Sequence, residues 1–250
     1  MIGIGSDTIL AVFVIFCRIG GCLMLMAGVS SPRVPMQIRL FLAVAITLAV
    51  APLMVDSVKA SIPNDEPLTL VQVIGTETLI GVMIGFLGRI FFLALQTLAH
   101  AMATTIGYSM PGTPIEDFEG VPTMTTLVMM TATLLFFMTD QHLMVLRATM
   151  NSYSALPING GFDPQSGLIQ ITDTLGTAFM LALRLASPFI IYGLIVNFAL
   201  GLLNKMTPTI PVYFVSMPFV LMGGLLLFYF TAGEFQQLFV MGFADWLANE

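Results

Sequence analysis

The sequence predicts an all-α integral membrane protein with about six long hydrophobic helices or helical hairpins. Of its 250 residues, 57% are hydrophobic and only 9% are charged, and the mean hydropathy is +0.96. The apolar residues are gathered into stretches close to or longer than the roughly 20 residues that a helix needs to cross a bilayer. Because backbone exposed to lipid must satisfy its own hydrogen bonds, we expect these stretches to be helical.

The first two hydrophobic stretches cover residues 8–29 and 38–54, with a turn rich in proline and arginine between them. The first stretch contains Arg18. A charge at this depth is costly unless it faces protein or water, so we expect Arg18 to make structural bonds to a partner helix or to backbone carbonyls. Residues 57–67 are polar and rich in Pro, Asn and Asp, which predicts an exposed connection.

The third stretch, residues 68–103, is long for a single crossing even if the helix is tilted. It contains Gly81 and Gly85, a GxxxG pair that lets another backbone approach closely, and we interpret the pair as general tight packing. Glu77 and Arg89 fall on different faces of the predicted helix. We therefore expect these two charges to have separate partners.

Residues 101–123 interrupt the apolar pattern with three glycines, three prolines and three acidic residues. Glycine permits backbone angles that other residues avoid, and proline fixes φ and removes a hydrogen-bond donor. A regular helix is therefore not expected here. The composition predicts an irregular loop that is held within protein or at a surface rather than in lipid.

The remaining stretches cover residues 124–146, 172–203 and 212–232. The middle one again contains a single arginine, Arg184, for which we expect the same structural bonding as for Arg18. Residues 233–250 are interpreted as a short amphipathic tail suited to a membrane interface.

We find no catalytic, metal-binding or nucleotide-binding motif in the sequence. Residues 107–111, GYSMP, resemble a nucleophile elbow, but the final glycine is replaced by proline and the required strand-to-helix turn is not expected. His142 lies beside Asp140, and we interpret them as a polar pair at a helix end rather than a proton relay. The eight basic residues are scattered, so no nucleic-acid partner is expected. We predict a protein that is not an enzyme and uses no metal or cofactor.

Short motifs follow one another along almost the whole chain: RIGG at 18–21, SPRVP at 31–35 with Arg39, GFLGR at 85–89, Gly107-Tyr108, DQH at 140–142, Ser152-Tyr153, Leu156-Pro157, ALRLASP at 182–188 and NFALGLLNKMTP at 197–208. This ordered series resembles the FliR family, the export-gate membrane subunit of flagellar type III secretion. Two departures stand out. Residues 208–211, PTIP, replace the family's Pro-Gln-Met-Asn-like turn, and the loop after Gly107 lacks some usual residues.

The resemblance implies a P-type-like N-terminal portion, residues 1–171, followed by a Q-type-like helical hairpin and amphipathic tail, residues 172–250. The loop 106–122 corresponds to a plug across the pore. A single copy is expected to assemble with P-type and Q-type gate subunits into a closed entry portal for unfolded flagellar proteins. B-type and A-type export-apparatus membrane proteins and membrane lipid are further implied partners, at the flagellar basal body in the bacterial inner membrane.

The resemblance also implies two groups of site residues. The pore plug comprises Gly107, Tyr108, Ser109, Met110, Pro111, Gly112 and Phe118. The polar residues implied to contact neighbouring subunits are Arg18, Glu77, Arg89 and Arg184. Two alternatives stay open: an injectisome homologue with the same pattern, and a small secondary transporter whose broken helices would place a substrate near the middle of the membrane.

Overall fold

The computed structural model describes residues 5–31, 34–61, 67–107, 123–207, 209 and 212–249. These residues form seven α-helices and one short 3-10 helix, with no strand among them. The helices are α1 (Ser6–Leu25), α2 (Met36–Ser61), α3 (Pro67–Thr105), α4 (Thr123–Met138), α5 (Gln141–Ala155), α6 (Pro164–Met206) and α7 (Val212–Asn249), and the 3-10 helix Ile158–Gly160 precedes α6. The predicted all-α fold is confirmed.

Five helices are long and apolar enough to cross a membrane, namely α1, α2, α3, α6 and α7. Their most apolar segments have mean hydropathies between 1.9 and 2.3. The neighbouring helices α4 and α5 make a sixth candidate if they are counted together as one broken span. The prediction of about six long hydrophobic helices therefore agrees with the structure.

The fourth hydrophobic stretch was predicted as one helix over residues 124–146 and is instead two helices. Asp140 separates them with left-handed backbone angles, φ 57° and ψ 20°. Such angles cost about 1–2 kcal/mol in most residues with a Cβ, and Asp is among the types that adopt them most readily. The amide of Leu143 donates to the Asp140 carbonyl at 3.0 Å. Asp140 and His142 therefore lie at the start of α5 rather than near the end of one long helix, and their position at a membrane interface stays a prediction.

The C-terminal helix α7 continues to Asn249, so residues 233–249 extend the helix predicted for residues 212–232 rather than form a separate tail. Phe235, Phe239 and Phe243 recur every fourth residue along this part and are buried. A helix has an apolar stripe of this period whether the stripe faces a membrane surface or packs against protein, so the sequence pattern could not distinguish these environments. In the structure the stripe packs against protein.

The chain forms two compact units. Unit 1 comprises residues 1–90, 140–174 and 249–250, and unit 2 comprises residues 91–139 and 175–248. The predicted division into a P-type-like portion, residues 1–171, and a Q-type-like portion, residues 172–250, rests on the family resemblance and stays a prediction.

Unit 2 contains an aromatic cluster contributed by α3, α4 and α7. The ring centroid of Phe92 lies 5.6 Å from that of Phe136 and 5.4 Å from that of Phe239, with the rings nearly perpendicular. Phe91 and Phe243 make a similar edge-to-face contact at 5.4 Å. Each such pair contributes about 0.5–1.5 kcal/mol beyond the area that it buries. The cluster thus joins the C-terminal part of α7 to α3 and α4.

Candidate functional site

A fully buried ion pair lies in unit 1. Arg18 on α1 and Glu77 on α3 both have 0% of their surface exposed. The Arg18 Nε donates to Glu77 Oε2 at 2.6 Å, and Nη2 donates to Oε1 at 2.7 Å. Two parallel N–H···O bonds of this kind form the strong, geometrically specific arrangement of arginine with a carboxylate.

The segment that contains α5 supplies the other partners of the Arg18 guanidinium. Its Nη1 donates to the hydroxyl of Ser152 at 2.9 Å, and Nη2 also donates to the carbonyl oxygen of Leu156 at 3.0 Å. The guanidinium carbon lies 3.7 Å from the centre of the Tyr153 ring, a cation–π contact. We call Arg18, Glu77, Ser152, Tyr153 and Leu156 the arginine cluster. It connects α1, α3 and α5.

Glycines allow α1 and α3 to approach closely enough for this pair to form. A Cβ on Gly81 would overlap the Arg18 carbonyl oxygen and lie 2.9 Å from the Arg18 Cα. A Cβ on Gly85 would overlap the Cys22 carbonyl oxygen and lie 3.0 Å from the Cys22 Cα. The obstructing atoms belong to backbone and cannot rotate away, so a side chain at either glycine would separate the helices. The GxxxG pair serves tight packing inside one chain.

The chemistry of the arginine cluster is structural. Neither charge is exposed, so a substrate has no access to the guanidinium or to the carboxylate. Removing one member of a buried pair leaves the other charge uncompensated, at a cost of about 3–5 kcal/mol. Across the part of the chain that the structure describes, no group of three or more His, Cys, Asp or Glu residues is placed to hold a metal ion.

The helix that leads to the predicted plug ends in unit 2. Helix α3 ends at Thr105, Ile106 is fully buried, and Gly107 has a φ of 81°. The amide of Gly107 donates to the Thr104 carbonyl at 3.0 Å. A positive φ costs glycine little, so Gly107 turns the chain away from the helix axis. The other predicted plug residues lie outside the described residues: Tyr108, Ser109, Met110, Pro111, Gly112 and Phe118.

The family model for bacterial export proteins, family 1, matches residues 9–246. The chain belongs to this family. The matched range includes the whole arginine cluster and the end of α3. The resemblance to the FliR family that the ordered motifs indicated is confirmed.

Three relatives illustrate the breadth of this export family. The flagellar biosynthetic protein FliR of Caulobacter vibrioides is 30% identical over 216 residues, which cover 84% of this chain and 84% of that protein. The FliR of Escherichia coli is 29% identical over 202 residues, covering 78% of this chain and 74% of that protein. The Yop proteins translocation protein T of Yersinia pestis is 30% identical over 156 residues, covering 60% and 59%.

In this export protein, two of the four predicted contact residues form an ion pair with each other. Arg18 and Glu77 are 59 residues apart in sequence and bind within the chain, whereas the resemblance implied partners in neighbouring subunits. Separate partners were expected for Glu77 and Arg89, and the partner of Glu77 is Arg18. Arg89 is half-buried and Arg184 is exposed. Their contacts with neighbouring subunits stay a prediction.

No sequence pattern predicted that the α5 segment contributes to the arginine cluster. Ser152, Tyr153 and Leu156 appeared only as members of the ordered motifs, with no role attached. Serine, tyrosine and leucine all occur in membrane helices, so composition gives no signal. Their place in the ordered motif series of the export family was the available signal.

Proposed function

We propose that this export protein is a non-enzymatic subunit of the export gate of a flagellar type III secretion apparatus in the bacterial inner membrane. The observation that carries the proposal is the family match over residues 9–246, with 30% identity to a flagellar biosynthetic protein across 84% of both chains. Five helices that are apolar enough to cross a membrane agree with the location. The match to a Yop translocation protein leaves an injectisome export gate as the alternative system in which this subunit would work.

In this proposal one copy assembles with P-type and Q-type subunits into a closed entry portal for unfolded flagellar proteins, and B-type and A-type membrane proteins adjoin it. The outer surface of α7 supports such an assembly, because only 6% of its most apolar segment is buried within the chain. Phe219, Tyr229 and Phe230 are 68%, 77% and 74% exposed. Either lipid or apolar helices of partner subunits would cover these rings.

Arg184 and Arg89 are proposed to contact the partner subunits. Both lie inside helices that are apolar enough to cross a membrane. An arginine there needs a protein or water environment, since hydrocarbon does not solvate its charge. Partner carboxylates or backbone carbonyls at the same depth would meet this need.

The loop 106–122 is proposed as the pore plug, with Gly107, Tyr108, Ser109, Met110, Pro111, Gly112 and Phe118 as its main residues. The positive φ of Gly107 supports an abrupt departure of the chain from α3. The three prolines and three glycines of residues 101–123 disfavour a continuing helix. A plug of this kind would keep ions from crossing while no substrate is in the portal.

Co-purification tests the assembly. The tagged chain, expressed from its natural operon and extracted in mild detergent, should elute with two other small membrane proteins and show one copy of itself by native mass spectrometry. A secondary transporter would instead run alone or as a homo-oligomer, and that result would contradict a gate subunit.

Ion permeability tests the plug. Replacing residues 107–122 with a shorter Gly/Ser linker should make the assembled complex leak ions in the absence of export, because a flexible linker has no bulky side chains to fill a pore. The control is the same complex with the native loop. Unchanged permeability in a complex that assembles normally would show that the loop is not the plug.

A further inference from the structure

The end of α3 lies in a notch formed by two glycines of unit 2, one on α6 and one on α7. A Cβ on Gly193 would overlap the Cγ2 of Thr105 and lie 3.3 Å from its Cβ. A Cβ on Gly224 would overlap the Cγ2 of Ile106 and lie 2.9 Å from its Cβ. We call Gly193 and Gly224 the glycine notch. The side chains of Thr105 and Ile106 fill the space that side chains at these glycines would occupy.

The two side chains in the notch have little freedom to move aside. Thr105 and Ile106 are both β-branched, which restricts rotation about their first side-chain bond. At Gly224 the close approach extends to the Cβ of Ile106, an atom fixed by the backbone. Ile106 is also fully buried. Adding even one methyl group at Gly224 would therefore displace the backbone at the end of α3.

A hydrogen bond beside the notch ties α6 to α7. The hydroxyl of Tyr192 donates to the carbonyl of Val220 at 2.6 Å. A Cβ on Gly223 would lie 2.6 Å from the same hydroxyl oxygen. Tyr192 and Gly223 directly precede the two notch glycines in sequence. The Tyr192 hydrogen bond therefore fixes the position of α6 relative to α7 close to the notch.

We infer that the glycine notch positions the start of the plug, an inference that rests on the proposed function. Gly107 follows Ile106 directly and turns the chain with its positive φ. The location of Ile106 therefore determines where the segment after Gly107 begins and in which direction it leaves the helix. Gly193 and Gly224 are positioning residues, because they act by holding Thr105 and Ile106 in place.

The notch itself is tested by paired substitutions in the full chain, assembled with its partner subunits. Gly224→Ala should lower the apparent Tm of the complex by about 5 °C through overpacking. Ile106→Ala should lower it as well, because it empties a buried site. The double variant should lose clearly less than the sum, since the new methyl group occupies the emptied space. Additive losses would overturn the notch.

A second pair guards against a variant that fails to fold. Gly193→Ala would overlap the Cγ2 of Thr105, and Thr105→Ser removes that methyl group. The combination should recover most of the Tm that Gly193→Ala loses. Matched controls are Gly201→Ala on α6 and Gly233→Ala on α7, where a Cβ would meet nothing within 4 Å. An equal loss in these controls would mean that alanine acts through the helix and not through the notch.

Ion permeability then tests the positioning role. Complexes with Gly224→Ala that still assemble should leak ions several-fold above wild type without export, and Gly233→Ala should not. Coupling in the Tm measurements without any leak would overturn the positioning role while leaving the plug intact, provided that the linker variant of residues 107–122 leaks. If the linker variant does not leak either, the proposed plug fails and this inference fails with it.

Discussion

Arg18 and Arg184 are each the single arginine of a long apolar helix, yet the chain surrounds them differently. Arg18 has no exposed surface and is bonded through Nε, Nη1 and Nη2 to groups of the same chain. Arg184 is exposed on α6. Hydrocarbon cannot solvate either charge. The charge of Arg18 is therefore neutralised when the chain folds, whereas the charge of Arg184 requires polar groups from outside the chain.

The helices α3 and α7 repeat this contrast on a larger scale. They contain 39 and 38 residues, and their most apolar segments have mean hydropathies of 2.1 and 1.9. Within the chain, 56% of the α3 segment is buried but only 6% of the α7 segment. Two helices of similar hydropathy therefore differ in how much of their surface the chain buries. The chain itself buries most of the apolar segment of α3 and leaves that of α7 exposed.

Breaking the arginine cluster should have the largest effect. Glu77→Leu leaves the buried guanidinium of Arg18 without its counter-ion, at a cost of about 3–5 kcal/mol of stability. We expect little folded protein, measured as the monodisperse fraction in detergent and as the apparent Tm. The double variant Arg18→Met with Glu77→Leu removes both charges and should recover a substantial part of the loss. A single variant as stable as wild type would show that the pair contributes little to folding.

Replacing the exposed arginine should affect assembly instead. Arg184→Met should leave the Tm of the isolated chain nearly unchanged, within about 0.5 kcal/mol in stability, because its surroundings in the chain change little. Co-purification of the partner subunits should fall about tenfold or more, since losing one member of an interfacial charge pair costs about 2–5 kcal/mol. The control Arg184→Lys keeps the charge and should retain part of the assembly. Normal assembly of the methionine variant would mean that no partner group depends on this charge.

The difference between the two arginines also marks how far the sequence could predict the structure. Hydropathy was sufficient to locate the apolar stretches and to identify Arg18 and Arg184 as costly charges. It could not pair Arg18 with Glu77, because the pairing depends on how α1 crosses α3, and that crossing depends on glycines whose GxxxG pattern is common in apolar sequence. The prediction that Glu77 does not pair with Arg89 agrees with the structure. That Glu77 pairs with Arg18 depends on the tertiary packing of the helices, which hydropathy does not describe.

Local breaks and notches were harder to predict for a related reason. The fourth stretch is apolar on both sides of Asp140, so hydropathy favoured one helix, whereas the left-handed backbone angles at that residue end α4. Gly193 and Gly224 lie within apolar stretches that contain other glycines, and only the close approach of Thr105 and Ile106 distinguishes them. The plug prediction came from the glycines and prolines of residues 101–123 together with the family resemblance, and the structure adds the turn at Gly107.

The smallest predicted effect concerns Asp163, a charge outside the membrane spans that provides a third case beside the two arginines. It lies fully exposed just before α6, and its carboxylate accepts hydrogen bonds from the Ser166 hydroxyl and from the amides of Ser166 and Gln165. The Ser166 hydroxyl first, and then the two amides, lower the pKa of this carboxyl below its ordinary value. Bonds to the first turn of a helix favour the ionised form of a capping residue.

A lowered pKa in the folded state means that the carboxylate contributes stability at pH values above its unfolded pKa, and that this contribution is lost as the pH falls through the folded pKa. The apparent Tm of the wild-type complex should therefore decrease on acidification below the ordinary pKa of aspartate more steeply than that of Asp163→Asn, which keeps a cap but does not titrate. Because water surrounds Asp163, the difference should be much smaller than the effect of Glu77→Leu. Parallel pH profiles for the two proteins would show that solvent alone accommodates this charge. In that case a helix end in water, a buried pair in unit 1 and an exposed arginine in an apolar span would represent three distinct ways of stabilising a charge in one chain.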